Sequence, residues 1–246
     1  MKEKFKILLL AGNTLRARAY AQQLAFLNKS EFEVVGLFFG FDFRQCEAPV
    51  LNNETKSYFE GENLFIPNLS DSLQITFKEN NWHYIEVNNV NVNSDDVLIE
   101  LKRFDSDIIV FAGYGGQILW SGHFITGRKY LHMHPGSLPE EKGSTTIYYS
   151  ILNKKKCSVT AFCMTEKIDD GENILCEEYP VPFKGVDIDR WFDNIIRADC
   201  FKKAILLIKS GKPTKEKPTI SSEEYYVIHP VLKHVALLSL KADSKS

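Results

Sequence analysis

Apolar positions along this chain follow two rhythms. Phe5-Lys-Ile-Leu-Leu-Leu-Ala11 is a nearly unbroken apolar run, as in a central parallel strand buried on both faces. After the turn Gly12-Asn13-Thr14, residues Ala17, Tyr20, Ala21, Leu24 and Leu27 fall on one helical stripe. Glu33-Val-Val-Gly-Leu-Phe-Phe39 repeats the strand pattern, so residues 5 to 39 read as one β-α-β unit. Residues 42 to 70 have no clear period and predict loop with one short helix. A helix over residues 73–80 and a strand over 84–87 follow. Ser94, Asp95 and Asp96 then mark a helix start, because a hydroxyl cap and acidic first turn complement exposed N–H groups. Val97, Leu101 and Phe104 form its buried stripe. Residues 107–112 and 130–134 predict two more strands.

Beyond residue 140 the pattern continues with a helix over 144–152 and strands over 158–164 and 174–180. A long helix over 189–210 places Phe192, Ile196, Cys200, Ala204 and Leu207 inward and stops at Gly211 and Pro213. Residues 212–218 read as a charged linker, 224–228 as a short strand, and Pro230 opens a last helix. Its Val231, Val235 and Leu238 are available to dock on the main domain or on another subunit. The tail 241–246 reads as disordered. Alternating strands and helices predict an α/β fold with an open, mostly parallel, doubly wound (Rossmann-like) sheet. The expected division is a main domain over 1–211 and a small C-terminal appendage over 212–246. Ligands of such sheets bind outside the carboxyl ends of the strands.

Composition narrows the class. The 246 residues are 44% hydrophobic and 25% charged, ordinary globular values, and the net charge of −2 offers no basic field for nucleic acid. No stretch approaches the ~20 apolar residues of a membrane span. Five cysteines, odd in number and without Cys-x-x-Cys spacing, argue against a disulfide framework or structural zinc and fit a reducing cytoplasm.

Candidate chemistry gathers at the carboxyl ends of two strands. In an extended segment ending at His134, His132 and His134 share one face, and Pro135 and Gly136 then turn the chain. Two histidines there suit proton transfer or metal binding, although an isolated His-x-His is more often satisfied by local hydrogen bonds. Gly12, Asn13 and Thr14, ahead of a helix, form a weak phosphate cradle.

The stretch Leu131-His132-Met133-His134-Pro135-Gly136-Ser137-Leu138-Pro139, with Gly143 after it, resembles the folate-dependent formyltransferase signature Asn-x-His-Pro-Ser-Leu-Leu-Pro. Two further motifs match in order: Gly113-Tyr114-Gly115-Gly116-Gln117-Ile118-Leu119 upstream, and Ser158-Val159-Thr160 with Asp169-Asp170-Gly171 downstream. The resemblance covers roughly residues 105 to 180. It implies a formyltransferase-type sheet, with His134 moving protons and Asp169 orienting and charge-stabilising it. It also implies 10-formyltetrahydrofolate as formyl donor, bordered by Gly115, Gly116, Gln117, Ile118, Leu119, Glu166, Lys167, Ile168 and Asp170. Gly12, Asn13, Thr14, Ser137 and Tyr148 would meet the acceptor, and no metal is expected. Tyr148 and Tyr149 otherwise pack a helix.

His132 departs from the family's asparagine, an oxyanion donor whose loss can cost about 100- to 1000-fold in rate. Thr145-Thr146, where many relatives carry proline, is a second departure. The acceptor implied is a small-molecule amine, best a nucleotide-activated amino sugar, with no nucleic acid or membrane partner and room for a homodimer through the C-terminal region. Two alternatives stay open: a metal-assisted hydrolase using His132, His134 and Asp169, and a non-catalytic folate- or nucleotide-sugar-binding descendant.

Overall fold

The computed structural model describes residues 3–43, 46–125, 127–211 and 223–242. The expected linker 212–218 and residues 243–246 of the expected tail lie outside them. In chain order the elements are β1 (Phe5–Gly12), α1 (Leu15–Leu24), β2 (Phe32–Phe39), α2 (Asn53–Gly61), α3 (Leu73–Glu79), β3 (His83–Val87), α4 (Asp95–Lys102), β4 (Ile108–Ala112), α5 (Ser121–Phe124) and β5 (Tyr130–His134). They continue with β6 (Glu141–Gly143), α6 (Thr146–Lys154), β7 (Lys156–Met164), β8 (Gly171–Pro180), a π-helical turn (Ile188–Phe192), α7 (Asp193–Lys209), β9 (Glu223–Tyr225) and α8 (Pro230–Leu238).

Among the described residues, one sheet runs β3-β2-β1-β4-β5-β7-β8, and β6 pairs with β9 in a second. β1 lies parallel to β2 and β4, β2 to β3, and β4 to β5. Parallel neighbours need crossovers, which α1, α3 and α4 supply. The open, mostly parallel α/β architecture expected from the sequence is the one found. The chain divides into two compact units, one of Met1–Ala48, Pro67–His132 and Cys163–Lys167, the other of Pro49–Ile66, Met133–Phe162 and Ile168–Ser246.

In the first unit Ile7 to Ala11 are wholly buried, as their unbroken apolar run requires. Leu8 and Leu10 share a core with Leu37, Phe39, Val97 and Leu101, and strand alternation sends Ile7 and Leu9 to the other face. Thr14 caps α1 by accepting from Ala17 N at 3.1 Å, and Ser94 caps α4. Arg18, nearly buried, ties three loops together. Its guanidinium donates to the carbonyls of Leu69 (2.7 Å) and Cys46 (2.8 Å) and to Asn13 Oδ1 (3.3 Å).

In the second unit α7 packs along β8, and its Ile196, Cys200 and Ala204 are buried, as is Phe192 just before it. The helix starts later than its periodicity predicts, because Ile188–Phe192 wind as a π-turn, with Asp187 accepting from Arg190 N at 2.9 Å. Its last inward position falls to Ile205, fully buried, while Leu207 is only half-buried. Cys200 and Cys157 are buried free thiols, and burial pushes Cys157 up to about 12, so both are packing groups.

The C-terminal elements are built onto the turn that follows β5. β9 pairs in parallel with β6, a strand the sequence did not announce. Ser144 N donates to Tyr225 O at 2.8 Å, which delays α6 to Thr146. Ile228 N donates to Thr145 Oγ1 at 2.8 Å, holding Thr145 in the left-handed region at φ 53°, a costly place for a β-branched residue. Helix α8 docks through the stripe that carries Lys233: its ammonium meets Asp189 Oδ2 at 2.5 Å and lies 4.8 Å from the centre of the Tyr148 ring. Ala236 and Leu240, on the same stripe, are buried. Val231, Val235 and Leu238, available to dock on the main domain or on another subunit, are turned outward and exposed rather than packed on the main domain.

Candidate active site

In the second unit the signature turn satisfies almost every polar group it carries. Pro135 O accepts from the Thr146 hydroxyl, and Gly136 O accepts from Thr160 Oγ1 at 2.6 Å. Leu138 N donates to Thr160 Oγ1 at 3.1 Å, and Leu138 O accepts from Asn173 Nδ2 at 2.9 Å. Arg197, held by Asp193 at 2.8 Å, donates to Met133 O at 3.2 Å. Buried backbone groups left unpaired cost as much as a lost hydrogen bond, so this bracing fixes the end of β5.

The bracing presents His134, buried at 2% exposure. Its Nδ1 lies 3.3 Å from Asp169 Oδ1 and its Nε2 lies 2.5 Å from the Glu141 carbonyl. Asp169 Oδ2 accepts from Gly143 N at 2.7 Å, and Asp169 itself sits in the left-handed region at φ 47°. Gly143 has φ 103°, and a Cβ there would stand 2.0 Å from Tyr225 O. Only glycine fits that position. A buried imidazole against a carboxylate with a fixed N–H donor is an arrangement that can hold and move a proton.

His132 belongs to the first unit, half-buried, with Nδ1 3.4 Å from Phe111 O. The glycine loop is in the same unit. Gly115 and Gly116 are exposed, with open space where a Cβ would stand and φ 80° at Gly116. Gln117 braces the loop internally: its amide donates to Val90 O at 2.8 Å and accepts from Tyr114 N at 3.2 Å. Asn93 adds a second clamp, donating to Ile118 O at 2.9 Å and accepting from Trp120 N at 2.8 Å. The Ile118 side chain is exposed and Leu119 is buried. Glu166, Lys167 and Ile168 are exposed, and Asp170 is half-buried. Asn93 escaped the sequence reading; the asparagine-rich stretch around it is its signal.

Four candidates have internal occupations. Gly12 is a glycine because the Tyr114 ring fills the space of its side chain, 2.8 Å from an added Cβ. The Tyr114 hydroxyl accepts from Asn13 N at 3.0 Å and donates to Gly40 O at 2.9 Å, so this backbone N–H of the expected phosphate cradle is already engaged. Tyr148, put on the acceptor side by the resemblance, is buried and gives its hydroxyl to Asp189 Oδ1 at 2.6 Å. Its phenol is held well above the usual tyrosine range, first by burial and then by that bond. The Ser137 hydroxyl donates to Glu140 at 2.8 Å.

No protein-family model matches the chain. Methionyl-tRNA formyltransferase of Orientia tsutsugamushi is 31% identical over 91 residues, covering 36% of this chain and 29% of the relative. That of Bacillus velezensis is 45% identical over 86 residues, 34% of this chain and 26% of the relative. The match thus spans under a third of these curated relatives. Glycinamide ribonucleotide transformylase 1 from Symbiobacterium toebii aligns over 88% of this chain and 92% of its own, with TM-score 0.60 and 15% identity. A sugar N-formyltransferase from a Shewanella species aligns over 98% and 89%, with TM-score 0.58 and 16% identity. In sequence over about a third of its length, and in fold over nearly all of it, the chain resembles the folate-dependent formyltransferases.

Proposed function

We propose that this chain is an N-formyltransferase that moves a formyl group from 10-formyltetrahydrofolate to the amine of a small molecule, with a nucleotide-activated amino sugar as acceptor class. The observation that carries the reading is the pair of buried His134 and half-buried Asp169, fixed at 3.3 Å and braced by Gly143 N. The acceptor class draws on the N-formyltransferase from Helicobacter canadensis, whose structure holds folinic acid and dTDP-3-aminofucose (TM-score 0.52, 19% identity, 89% of this chain and 70% of that one).

The residues assigned to the folate suit a flat, polar-edged ring. Gly115 and Gly116 leave space above a loop that Gln117 and Asn93 hold rigid, and Ile118 and Ile168 offer exposed apolar surface. Leu119, Glu166, Lys167 and Asp170 complete the assignment. When bound, the donor supplies the formyl carbon, which exchanges its bond to the donor nitrogen for one to the acceptor amine. His134 takes up the proton that the amine gives up and returns one to the departing nitrogen. Asp169 favours the charged imidazolium between those two events, a role worth about 100- to 10,000-fold for positioned acid–base groups. By the resemblance, His132 stands in the sequence where the family carries its asparagine donor.

The test is titration with 5-formyltetrahydrofolate, alone and with a panel of nucleotide amino sugars. Folate binding strengthened by one sugar supports the reading and identifies the acceptor. No folate binding under any condition refutes it.

A further inference from the structure

Glu141 is a carboxylate where a solvated residue would be expected, in the run Glu140-Glu141-Lys142. It is 1% exposed. Burying a carboxylate is costly unless donors replace its water. Three do: Ser137 N at 2.9 Å on Oε2, and Ser150 Oγ at 2.9 Å and the half-exposed Lys154 ammonium at 3.4 Å on Oε1. Glu141 N in turn donates to Ser137 O at 2.8 Å. Residues 137 and 141 therefore clasp each other twice, and α6 holds the clasp from behind.

The clasp aims one atom. The Glu141 carbonyl faces His134 Nε2 at 2.5 Å, and Gly136 fills the gap beside them, where a Cβ would lie 3.0 Å from Nε2 and 3.1 Å from that carbonyl. A carbonyl oxygen only accepts, so Nε2 must carry a hydrogen. Nδ1, 3.3 Å from Asp169, is left as the nitrogen whose proton can change.

We infer that Glu141 is a positioning residue: its buried carboxylate locks the 137–141 turn so that its own carbonyl fixes the His134 tautomer and confines proton exchange to the nitrogen facing Asp169. A residue of this kind acts through the histidine. The inference rests on the formyl-transfer reading for its catalytic meaning, but its structural claim is independent of activity.

The experiment compares wild-type protein with Glu141→Gln, Glu141→Ala and Lys154→Ala, using ¹⁵N-histidine NMR of the imidazole nitrogens alongside the pH profile of formyl transfer. Wild type is expected to show a protonated, exchange-protected Nε2 at His134. Glu141→Ala should lose that protection and mix the tautomers, lowering kcat on the order of 10- to 100-fold with the KM for folate little changed, and moving one limb of the pH profile. Glu141→Gln, whose amide oxygen still accepts from Ser137 N, should restore most of both. Lys154→Ala touches only the surface end of the network, so it serves if Glu141→Ala does not fold, and it should move the imidazole signals in the same direction by less. Imidazole signals unchanged in folded Glu141→Ala, or in Lys154→Ala when the alanine variant does not fold, overturn the inference. Signals that shift as described in a protein that transfers no formyl group uphold the positioning and reject the formyltransferase reading instead.

Discussion

Gly143 gives its main-chain N–H to Asp169 Oδ2 at 2.7 Å, while Asp169 Oδ1 faces His134. The carboxylate that orients the histidine is therefore itself oriented by a glycine with no room for a side chain. Replacing that glycine tests the geometry directly. Gly143→Ala would push a methyl against Tyr225 O in a strained backbone region. A loss of roughly 2–4 kcal/mol is expected, seen as a Tm about 5–15 °C lower. A variant melting with wild type would show that β9 does not press on this position.

His134→Asn and Asp169→Asn should each lower formyl transfer by about 100-fold or more without unfolding the chain. Circular dichroism and thermal melting check the fold, and single-turnover transfer checks the chemistry. Retained turnover in either variant would remove these residues from their assigned roles.

His123 sets an acid limit on stability. Wholly buried, it has Nε2 3.2 Å from Val92 O and Nδ1 3.1 Å from the Tyr130 hydroxyl. Burial pulls its pKa down to about 4, against an ordinary 6.5, with the Val92 bond opposing the shift. The folded chain thus keeps this ring neutral where the unfolded chain protonates it. The contribution is complete above pH 6.5 and is lost as pH falls towards 4, on the order of 2–3 kcal/mol in all. Denaturant midpoints between pH 4 and 7 should rise with pH in wild type and more shallowly in His123→Gln.

Tyr148→Phe removes the hydroxyl from Asp189 while Lys233 stays paired to that carboxylate. Stability should fall by about 1–3 kcal/mol, with formyl transfer reduced less than tenfold. A large catalytic loss in a stable variant would return Tyr148 to the acceptor side.

Chelation separates the hydrolase alternative from formyl transfer. Both ring nitrogens of His134 already face protein oxygens in this arrangement, Glu141 O and Asp169 Oδ1. Overnight dialysis against EDTA should leave transfer unchanged, and activity restored only by added zinc would favour the other chemistry.

The buried strands were legible because parallel strands advertise themselves as apolar runs, and Phe5 to Ala11 and Ile108 to Ala112 appear where the pattern put them. The approach of Asp169 to His134 was expected from the order of the motifs, and the two lie 3.3 Å apart. Glu141 was not legible: a carboxylate between a glutamate and a lysine reads as solvated surface, and its burial depends on Ser150 and Lys154, known only once α6 is in place. β6 was hidden for a related reason, being three residues long and polar, while β9, expected as a strand over 224–228, forms over Glu223–Tyr225; their pairing is decided by partners about eighty positions apart. The outward turn of Val231, Val235 and Leu238 follows from Lys233 and Asp189, a long-range pairing that periodicity does not weigh.

The parallel pairing of residues 141–143 with 223–225 has a consequence for synthesis. The ribosome delivers the histidine and its aspartate well before the strand that braces Gly143. At about 5–20 residues per second, the gap between Gly143 and Tyr225 takes roughly 4–16 seconds to translate. A nascent chain stalled in that interval holds His134, Asp169 and Gly143 yet lacks the strand that pairs with residues 141–143, so that pairing forms only once Tyr225 has been made.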